Sequence, residues 1–395
     1  MKPLRINRYT VTSALGRGID AHWDALRAER SGLSPRPFED CGLACWTGEV
    51  AGLDRALDGE LAGWDCRNNR LARLALMQDG FLQGAAELRQ RYGASRVGVF
   101  IGTSTAGIRQ TEYAYAARAD ANAALAPDFD YRRTHNTYSI ADFVRLELGL
   151  SGPALAISTA CSSSAKVFAS AARAIRGGIC DAAVVGGVDS LCLTTLYGFN
   201  ALQLIAADVC RPADAARVGI SIGEAGGFAL LEAAPGSDPG DLLLLGYGES
   251  SDAYHMSTPH PDGLGAAAAM RAALQSAGLA ANEVDYVNLH GTGTPVNDLA
   301  EDRGVHAVFG EATACSSTKG WTGHTLGAAG IVEAAISLIC LQQGFVPRSL
   351  NTRELDPQLR GAVQLQSSHR PLRRVLSNSF GFGGSNCSLL LGAAT

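Results

Sequence analysis

The sequence predicts an α/β protein built from two similar halves, and three observations lead to this prediction. Short apolar runs that suit buried strands alternate with Ala-rich runs of helical length along the 395 residues. Landmarks of the first part recur in the same order in the second. Only the stretch from Ala233 to Gly240 has the Pro, Gly and Asp content of a connector. We therefore predict one half at residues 1–235 and a second at 236–395.

The elements of the first half are predicted from apolar runs and from the turn residues that bound them. Gly177 and Gly178 mark the end of its Ala-rich helix. In chain order the elements are strands over Leu4 to Thr12, Val97 to Ile101 and Pro153 to Ile157, a helix over Cys161 to Arg176, and strands over Ala182 to Gly187 and Gly223 to Leu231.

The second half repeats this succession. A strand over Val284 to Leu289 runs into a Gly/Thr turn, as the strand before Gly102 does in the first half. A helix over His324 to Gln343 corresponds to the one that follows Cys161, and a Gly-rich hairpin with an apolar strand closes the half over Gly381 to Leu391. Two such halves would enclose a site between them.

Composition argues against several functional classes. The 33 basic and 38 acidic residues give a formal net charge of −5, which does not suit a general nucleic-acid binder. Ten cysteines without a Cys-x-x-Cys pair suit neither a disulfide framework nor a structural zinc site. The N-terminus lacks a signal-peptide core, and the most apolar helical stretch, Ala328 to Leu341, contains Glu333. We expect a protein of the reducing cytoplasm.

Cys161 is a candidate nucleophile because the sequence places it between an apolar strand and an Ala-rich helix. Backbone N–H groups and the positive end of the helix dipole stabilise a thiolate there, so we expect a lowered thiol pKa. Cysteine is also among the most buried residue types and is usually inert. Position alone leaves both interpretations open.

Two histidines of the second half lie in similarly placed turns. His290 follows a predicted strand, and His324 ends the loop 318–323 and begins a helix. A neutral imidazole in such a turn is suited to donate a hydrogen bond to a carbonyl oxygen. Each histidine could equally be a hydrogen-bonded core residue.

Lys319 is one of only three lysines, and it precedes His324 by five residues. Glu333 lies among Ala, Ile, Val and Leu, where an ionised carboxylate needs a partner or a large pKa shift. We predict a buried pair of these two side chains that orients the imidazole of His324. The alternative is that Glu333 faces a polar groove.

Three further segments have weaker interpretations. In Asn378 to Asn386, two aromatics alternate with glycines whose backbone N–H groups could face an oxyanion, although an ordinary Gly-rich hairpin explains the glycines equally well. Gly16 to Ala21 fits a dinucleotide-binding pattern without a suitable preceding strand. The turn around Ser104 is similar to a hydrolase nucleophile turn, but its second Gly falls one residue late. We interpret these last two as structural.

Four motifs together resemble those of the β-ketoacyl-acyl-carrier-protein synthases I and II, the elongating condensing enzymes of the thiolase fold. They are Ser-Thr-Ala-Cys161-Ser-Ser, His290-Gly-Thr-Gly-Thr-Pro, Lys319-Gly-Trp-Thr-Gly-His324-x-Leu-Gly-Ala-Ala-Gly and Asn-Ser-Phe380-Gly-Phe382-Gly-Gly-Ser-Asn, in the family's order. The resemblance covers nearly the whole chain. It implies a thiolase-like fold in which two duplicated α/β halves form a layered αβαβα architecture.

The resemblance also implies a decarboxylative Claisen condensation. Cys161 would take an acyl group from acyl carrier protein, and the backbone N–H groups of Cys161 and Phe382 would hold the oxyanion. His290 and His324 would stabilise the enolate formed when malonyl carrier protein loses carbon dioxide, and the product would be a β-ketoacyl chain two carbons longer. No metal or bound cofactor is implied, because phosphopantetheine arrives on the carrier protein.

Other positions match the family's supporting residues. The resemblance implies a supporting ion pair of Lys319 and Glu333, and acidic residues beside the first histidine motif, Asp298 and Glu301. It also implies an aromatic gate over the cysteine, Phe380, and substrate-binding threonines, Thr292 and Thr294. Thr105 matches an acyl-pocket residue that varies with chain length.

The implied partners are acyl- and malonyl-loaded carrier proteins, with no nucleic acid and no membrane. Because carrier proteins are acidic, we predict a basic docking patch at Arg67, Arg70 and Arg73, which would share one helix face. An ordinary solvated face is the alternative. A homodimer is expected, and a heterodimer with a related subunit is left open, as is the choice between fatty-acid, polyketide and aryl-polyene pathways.

Two other functions are alternatives to an active synthase. A non-catalytic subunit that sets chain length in a heterodimeric synthase would typically lack the nucleophile, whereas this chain has Cys161. A hydrolase that uses Cys161 and one histidine would need neither the second histidine nor the Lys/Glu pair.

Overall fold

The computed structural model describes residues 1–234, 236 and 238–394. Within them, ten strands of four or more residues join in one sheet. They are β1 (Leu4–Ser13), β2 (Val97–Gly102), β3 (Ala154–Ile157), β4 (Ala182–Asp189), β5 (Ala225–Ala233), β6 (Leu242–Ser251), β7 (Tyr286–Leu289), β8 (Ala314–Ser317), β9 (Arg374–Gly381) and β10 (Ser385–Ala393).

The sheet contains the same topology twice. Strands of the first half follow the order β3-β2-β4-β5-β1, and those of the second follow β8-β7-β9-β10-β6. Directions repeat as well: β2 is parallel to β3 and β4, and β5 is antiparallel to β4 and β1, with the corresponding pairings in the second half. The predicted duplication of two α/β halves is confirmed.

The two half-sheets meet where β1 pairs with β6 through Leu4 and Arg5. Three strands of each half are parallel, but the others pair antiparallel, so the prediction of a largely parallel sheet was only partly right. Every residue of β4 is buried, and a strand covered on both faces has the same apolar pattern whatever the direction of its neighbours. Direction could not be inferred from that pattern.

Helices cover the sheet. They are α1 (Gly18–Arg27), α2 (Arg67–Leu76), α3 (Phe81–Tyr92), α4 (Ile108–Ala116), α5 (Tyr131–Thr134), α6 (Ser139–Glu147), α7 (Ser163–Arg176), α8 (Leu193–Ala201), α9 (Leu264–Ala277), α10 (Pro295–Phe309), α11 (Lys319–Thr322) and α12 (Ala329–Gln343). The long equivalent helices α7 and α12 pack against each other in the centre and contact strands of their own halves. This close crossing needs Gly330, because a Cβ there would lie 2.4 Å from the backbone nitrogen of Ala165.

The central helix α12 is the most apolar element. Its stretch Leu326–Gln343 is long and apolar enough to span a membrane, but 89% of it is buried inside the protein. It is therefore a core helix. The predicted helix over His324 to Gln343 begins later than expected, at Ala329, because a 3₁₀ turn over Leu326–Ala328 precedes it.

The predicted boundary between the halves, after residue 235, adjoins Pro235, which lies outside the described residues. The strands on either side, β5 and β6, end at Ala233 and begin at Leu242.

Candidate active site

Cys161 lies just beyond the carboxyl end of β3. Its predecessor Ala160 has a φ of +51°, a backbone conformation that costs energy for a residue with a Cβ and that is concentrated at functional sites. Ser162 is the N-cap of α7, so the Cys161 side chain lies beside the start of that helix. The thiol is 6% exposed and faces a cavity.

Burial raises the pKa of the Cys161 thiol to about 11, although the Lys319 ammonium and the backbone N–H of Phe382 favour the thiolate. The expectation of a thiol pKa lowered by the helix N-terminus is therefore wrong in sign, because removal from water outweighs the local donors. Below this pKa the resting side chain is mainly a thiol.

His324 lies opposite Cys161, and its Nε2 is 3.0 Å from the Cys161 Sγ. The backbone N–H of Leu326 donates to its Nδ1 over 3.2 Å, which assigns the proton of a neutral ring to Nε2. Burial and the nearby Lys319 ammonium hold the pKa of His324 well below its ordinary value. The ring therefore offers an N–H donor to the cavity at neutral pH.

His290 offers a second donor of the same kind. The Lys319 Nζ lies 3.2 Å from its Nδ1 and can only donate, so a neutral His290 also has its proton on Nε2. Burial, the Lys319 ammonium and His324 lower the pKa of His290 well below its ordinary value. The two imidazole rings are 5.3 Å apart and nearly perpendicular.

Lys319 and Glu333 form a buried ion pair, with exposed side-chain fractions of 1% and 3%. Lys319 also donates to the carbonyl oxygen of His290. The expected pair is present, but it orients His290 rather than His324, whose ring is fixed by Leu326. Burial raises the pKa of Glu333 to about 7, against the influence of Lys319.

Two buried carboxylates hold the loop that begins at His290. Glu301 accepts the backbone N–H groups of His290 and Gly291 at 2.8 and 2.7 Å. Asp298 accepts the N–H of Gly293 at 3.2 Å, and its other oxygen accepts the N–H of Ala213. Burial raises the pKa of Glu301 to about 7 and also raises that of Asp298. Neither carboxylate lines the cavity, so both support the loop from behind.

Sequence reasoning missed two partners of these carboxylates. Asn378 donates to Glu301 over 3.1 Å, and Arg217 lies 3.5 Å from Asp298 while also pairing with Asp356 at 2.7 Å. Asn378 belongs to a motif that was recognised for its glycines and aromatics. Nothing in the local sequence links Arg217 to carboxylates more than 80 residues away.

The cavity beside Cys161 has a volume of about 230 Å³. Thr292 and Thr294 lie on its wall with their hydroxyls 2.9 Å apart. Phe380 also lines it, 6.0 Å from the His290 ring. The remaining wall is mostly apolar and includes Phe199, Phe382, Leu202, Leu204, Ile220, Pro259, Pro295 and Val296.

Thr105, the predicted acyl-pocket residue, is not part of this wall. Its hydroxyl instead donates to Asp189 over 2.9 Å, and its backbone N–H donates to the same carboxylate. The Thr105 side chain makes an internal hydrogen bond, and its role at the acyl pocket stays a prediction. Asp189 was missed because no motif contains it.

The predicted docking arginines do share one helix, α2, but each is already ion-paired. Arg67 bonds Glu224 and Glu49, Arg70 bonds Asp65, and Arg73 lies near Glu147 and Asp58, as the ion pairs of this helix show. The prediction of an open basic patch on α2 is therefore wrong, because acidic side chains of the same chain neutralise these arginines.

The three central side chains permit two kinds of chemistry. Ligand atoms of Cys161, His290 and His324 lie within 4.8 Å of one another, a spacing that a metal ion could bridge. An ammonium in contact with His290 disfavours a second cation there. A nucleophilic sulfur facing two N–H donors suits acyl transfer and the stabilisation of a developing oxyanion.

Two family models match the chain. One is described as the beta-ketoacyl synthase N-terminal domain and matches residues 9–235, and the other, the beta-ketoacyl synthase C-terminal domain, matches residues 243–353. The 3-oxoacyl-[acyl-carrier-protein] synthase 2 of Vibrio cholerae is 32% identical over 408 residues, which cover 96% of each chain. Nodulation protein E of Rhizobium meliloti is 33% identical, with 95% of each chain covered.

Solved structures are similar over the full chain. A ketosynthase (ApeO) in complex with its chain length factor (ApeC), from Xenorhabdus doucetiae, has a TM-score of 0.90 and 37% identity and covers 100% of this chain and 98% of that chain. The ishigamide ketosynthase/chain length factor has a TM-score of 0.88 and 28% identity, with 100% of each chain covered.

Proposed function

The chain belongs to the β-ketoacyl synthase family and is a condensing acyltransferase that forms β-ketoacyl-acyl-carrier-protein, and on this premise we propose that Cys161, His290 and His324 carry its catalysis. The observation that carries the assignment is the pair of Nε2–H donors, each fixed through its Nδ1, facing one cavity with a cysteine sulfur.

In the first half-reaction, the Cys161 sulfur attacks the thioester carbonyl of an acyl carrier protein. The carbonyl electron pair moves to oxygen, where the backbone N–H groups of Cys161 and Phe382 stabilise it. Collapse of this intermediate breaks the bond to the phosphopantetheine sulfur, which leaves as a thiol with the proton that Cys161 gave up. The acyl group is then held as a thioester of Cys161.

In the second half-reaction, malonyl carrier protein replaces the first carrier. Its carbon–carboxylate bond breaks, carbon dioxide leaves, and the bonding electrons form an enolate whose oxygen accepts from His290 and His324. The enolate carbon attacks the acyl thioester and expels the Cys161 thiolate. Lys319 and Glu333 hold His290, Asp298 and Glu301 hold its loop, and no resident metal or cofactor takes part.

The remaining pocket residues are assigned by position. Thr292 and Thr294 would bind the phosphopantetheine arm or the malonyl group, because both hydroxyls lie on the cavity wall. Phe380, which lines the cavity beside the His290 ring, would act as the gate over Cys161.

Intact-protein mass spectrometry with a panel of acyl carrier proteins and malonyl carrier protein tests the assignment. We expect an acyl adduct on the wild type, none on Cys161→Ala, and a carrier-bound β-ketoacyl product two carbons longer. Free acid as the only product would support a thioester hydrolase instead. No adduct from any primer would support the non-catalytic partner subunit.

Carrier proteins would dock on an apolar collar around the cavity mouth rather than on α2. We define the collar as Leu202, Met256 and Val296, which are 53%, 78% and 52% exposed. Leu202 and Val296 line the cavity, and the carbonyl oxygen of Met256 accepts from Gly383 beside it. A thioester tethered to its carrier enters only if the carrier covers this rim, and exposed apolar patches commonly mark interfaces.

The collar is tested with Met256→Ala and Val296→Ala. Both should raise the KM for acyl carrier protein several-fold and leave acylation by a short carrier-free thioester unchanged. Met77→Ala, which removes an exposed apolar side chain at the C-terminal end of α2 and outside the cavity wall, is the matched control. An unchanged KM in both collar variants would contradict the assignment.

A second subunit would pair with the free edge of β3. Among the described residues this strand ends the sheet of the first half, with a neighbour on one side only, and Leu155 is 50% exposed. It leads directly to Cys161, so a partner on this edge would lie close to the nucleophile. The expected homodimer and a heterodimer would share the edge, and the ketosynthase/chain length factor relatives favour the heterodimer.

Light scattering of the purified chain distinguishes the two assemblies. A chain that dimerises only when co-expressed with a related subunit supports the heterodimer, and a stable dimer of this chain alone supports the homodimer. We propose a cytoplasmic role in elongating fatty-acid, polyketide or aryl-polyene chains, and ten buried free cysteines are consistent with a reducing compartment.

A further inference from the structure

We propose that Asp189 is a positioning residue: its carboxylate, at the end of β4 in the first half, fixes the turn that presents His324 in the second half. The inference rests on the proposed function, because it concerns the role of His324 in decarboxylation. Asp189 is fully buried. Within the described part of the chain, it accepts hydrogen bonds from hydroxyl and backbone N–H groups alone.

One side of the carboxylate is held by the turn after β2. Thr103 and Thr105 donate their hydroxyls to Oδ1 at 2.5 and 2.9 Å, and Ser104 donates its hydroxyl to Oδ2 at 2.6 Å. The backbone N–H groups of Ser104 and Thr105 add further bonds at 2.9 to 3.0 Å. These donors compensate the cost of burying a charge without a cation. They also explain the Ser104 motif, whose hydroxyl serves as an internal donor.

The other side of the carboxylate reaches the second half. The backbone N–H of Gly327 donates to the Asp189 Oδ2 over 2.6 Å, and a Cβ at Gly327 would lie 2.6 Å from the same oxygen. The preceding residue, Leu326, has a φ of +53° and donates its N–H to the His324 Nδ1. Asp189 thus fixes a strained turn whose adjacent N–H sets the tautomer of the catalytic ring.

An anion is required at this position because all of its neighbours donate. A carboxylate has two oxygens that only accept, whereas an amide of the same shape would turn an NH₂ group toward at least one of the donors. Either a hydroxyl would then lose its acceptor, or the Gly327 N–H would keep only its longer bond to the Ser104 Oγ, at 3.2 Å. By contrast, the nucleophile is held through Ser162, α7 and the N–H of Phe382, none of which bonds Asp189. The Asp189 carboxylate acts on the Cys161 thiol only through its charge, which is the last of the five causes of its pKa shift, so we expect its loss to affect acylation less than decarboxylation.

The test compares both half-reactions in Asp189→Asn, with Asp181→Asn as the matched control. Asp181 lies immediately before β4, where its carboxylate is 43% exposed and pairs with Arg96. Acylation of Cys161 is followed by intact mass, and decarboxylation by carbon dioxide release from malonyl carrier protein. We expect Asp189→Asn to lower decarboxylation at least about tenfold more than acylation, because a small displacement of a catalytic group is costly. Asp181→Asn should leave both rates unchanged.

Equal loss of both half-reactions in folded Asp189→Asn, or no loss, would overturn the inference. If this variant does not fold, Thr105→Val decides, because it removes one donor with little change in shape and should shift the ratio of rates in the same direction. An unshifted ratio in folded Thr105→Val would overturn the inference. Absence of decarboxylation by the wild type would instead refute the proposed function, so the two failures are distinguishable.

Discussion

The two halves place different chemistry at the same point of one topology. In the first half, Cys161 joins the edge strand β3 to α7; in the second, His324 joins the equivalent strand β8 to α12. Because α7 and α12 pack together, both junctions meet at the carboxyl ends of their strands, and the Nε2 of His324 lies 3.0 Å from the sulfur. The repeated topology thus supplies the geometry, and under the proposed function Cys161 acts as the nucleophile and His324 as a donor.

The supporting charges differ between the halves as well. The second half uses a buried ion pair of Lys319 and Glu333, and the Lys319 ammonium orients His290. The first half uses Asp189, an anion surrounded by hydroxyl and N–H donors. Each carboxylate is thus satisfied by donors from other elements, Asp189 by the turn after β2 and by Gly327, and Glu333 by Lys319.

The largest effect is expected from substitutions that remove the imidazole donors of the second half and leave the nucleophile of the first half in place. His290→Ala and His324→Ala should each lower decarboxylation of malonyl carrier protein by about 10²- to 10³-fold, as loss of an oxyanion donor does. Acylation of Cys161 should change far less, because its oxyanion is held by backbone N–H groups. Carbon dioxide release and intact mass measure the two rates.

His306→Ala, which alters a partly exposed histidine on α10, is the matched control and should affect neither rate. Equal losses of acylation and decarboxylation in the catalytic variants would break the division of labour between the halves.

The next largest effect concerns the buried Lys319–Glu333 ion pair, which contrasts with the Asp189 carboxylate held by hydroxyl and N–H donors. Lys319→Met leaves Glu333 buried without its cation, which should lower the free energy of unfolding by about 3–5 kcal/mol. The double variant Lys319→Met/Glu333→Leu should recover most of that stability, because no buried charge remains unpaired. Denaturant unfolding measures both.

Recovered stability should not bring back decarboxylation, since His290 still lacks the donor to its Nδ1. If the double variant regained wild-type decarboxylation, the ion pair would be a stability element only.

Of the site, the sequence predicted Cys161, His290 and His324, because each lies in a turn beside an apolar element. It predicted the Lys319–Glu333 pair because Glu333 lies among apolar residues of a helix. It could not decide which imidazole Lys319 contacts, since that depends on the fold around β7 and α11. The ion pairs of Arg67 with Glu224 and Glu49 connect segments distant in sequence and were equally invisible.

Of the fold, the duplication and most elements followed from the order of the apolar runs. Strand direction did not, because β4 and its neighbours are buried on both faces. The late start of α12 depends on Leu326 adopting a positive φ, which no propensity favours for leucine.

A smaller effect concerns the thiol alone. With a pKa raised by burial to about 11 from an ordinary 9.0, the thiolate fraction should rise about tenfold per pH unit through pH 7–10. Alkylation of Cys161 by iodoacetamide should follow that slope without levelling off near pH 9. A plateau at or below pH 9 would mean that the N-terminus of α7 outweighs desolvation, as the sequence suggested.

The smallest effect is expected on α2. Arg73→Ala removes a side chain already near Glu147 and Asp58 and should change the KM for acyl carrier protein by less than about twofold, since exposed ion pairs contribute little. A steady-state titration with carrier protein measures it. A rise as large as that expected for the collar variants would restore α2 as the docking face.

The most direct test of the division between the halves is carbon dioxide release from malonyl carrier protein by Cys161→Ala. The variant lacks the nucleophile of the first half but retains both donors of the second. We predict no condensation and a decarboxylation rate within about threefold of wild type, because the enolate is stabilised by His290 and His324 alone. Loss of decarboxylation as complete as the loss of condensation, in a folded variant, would contradict the account.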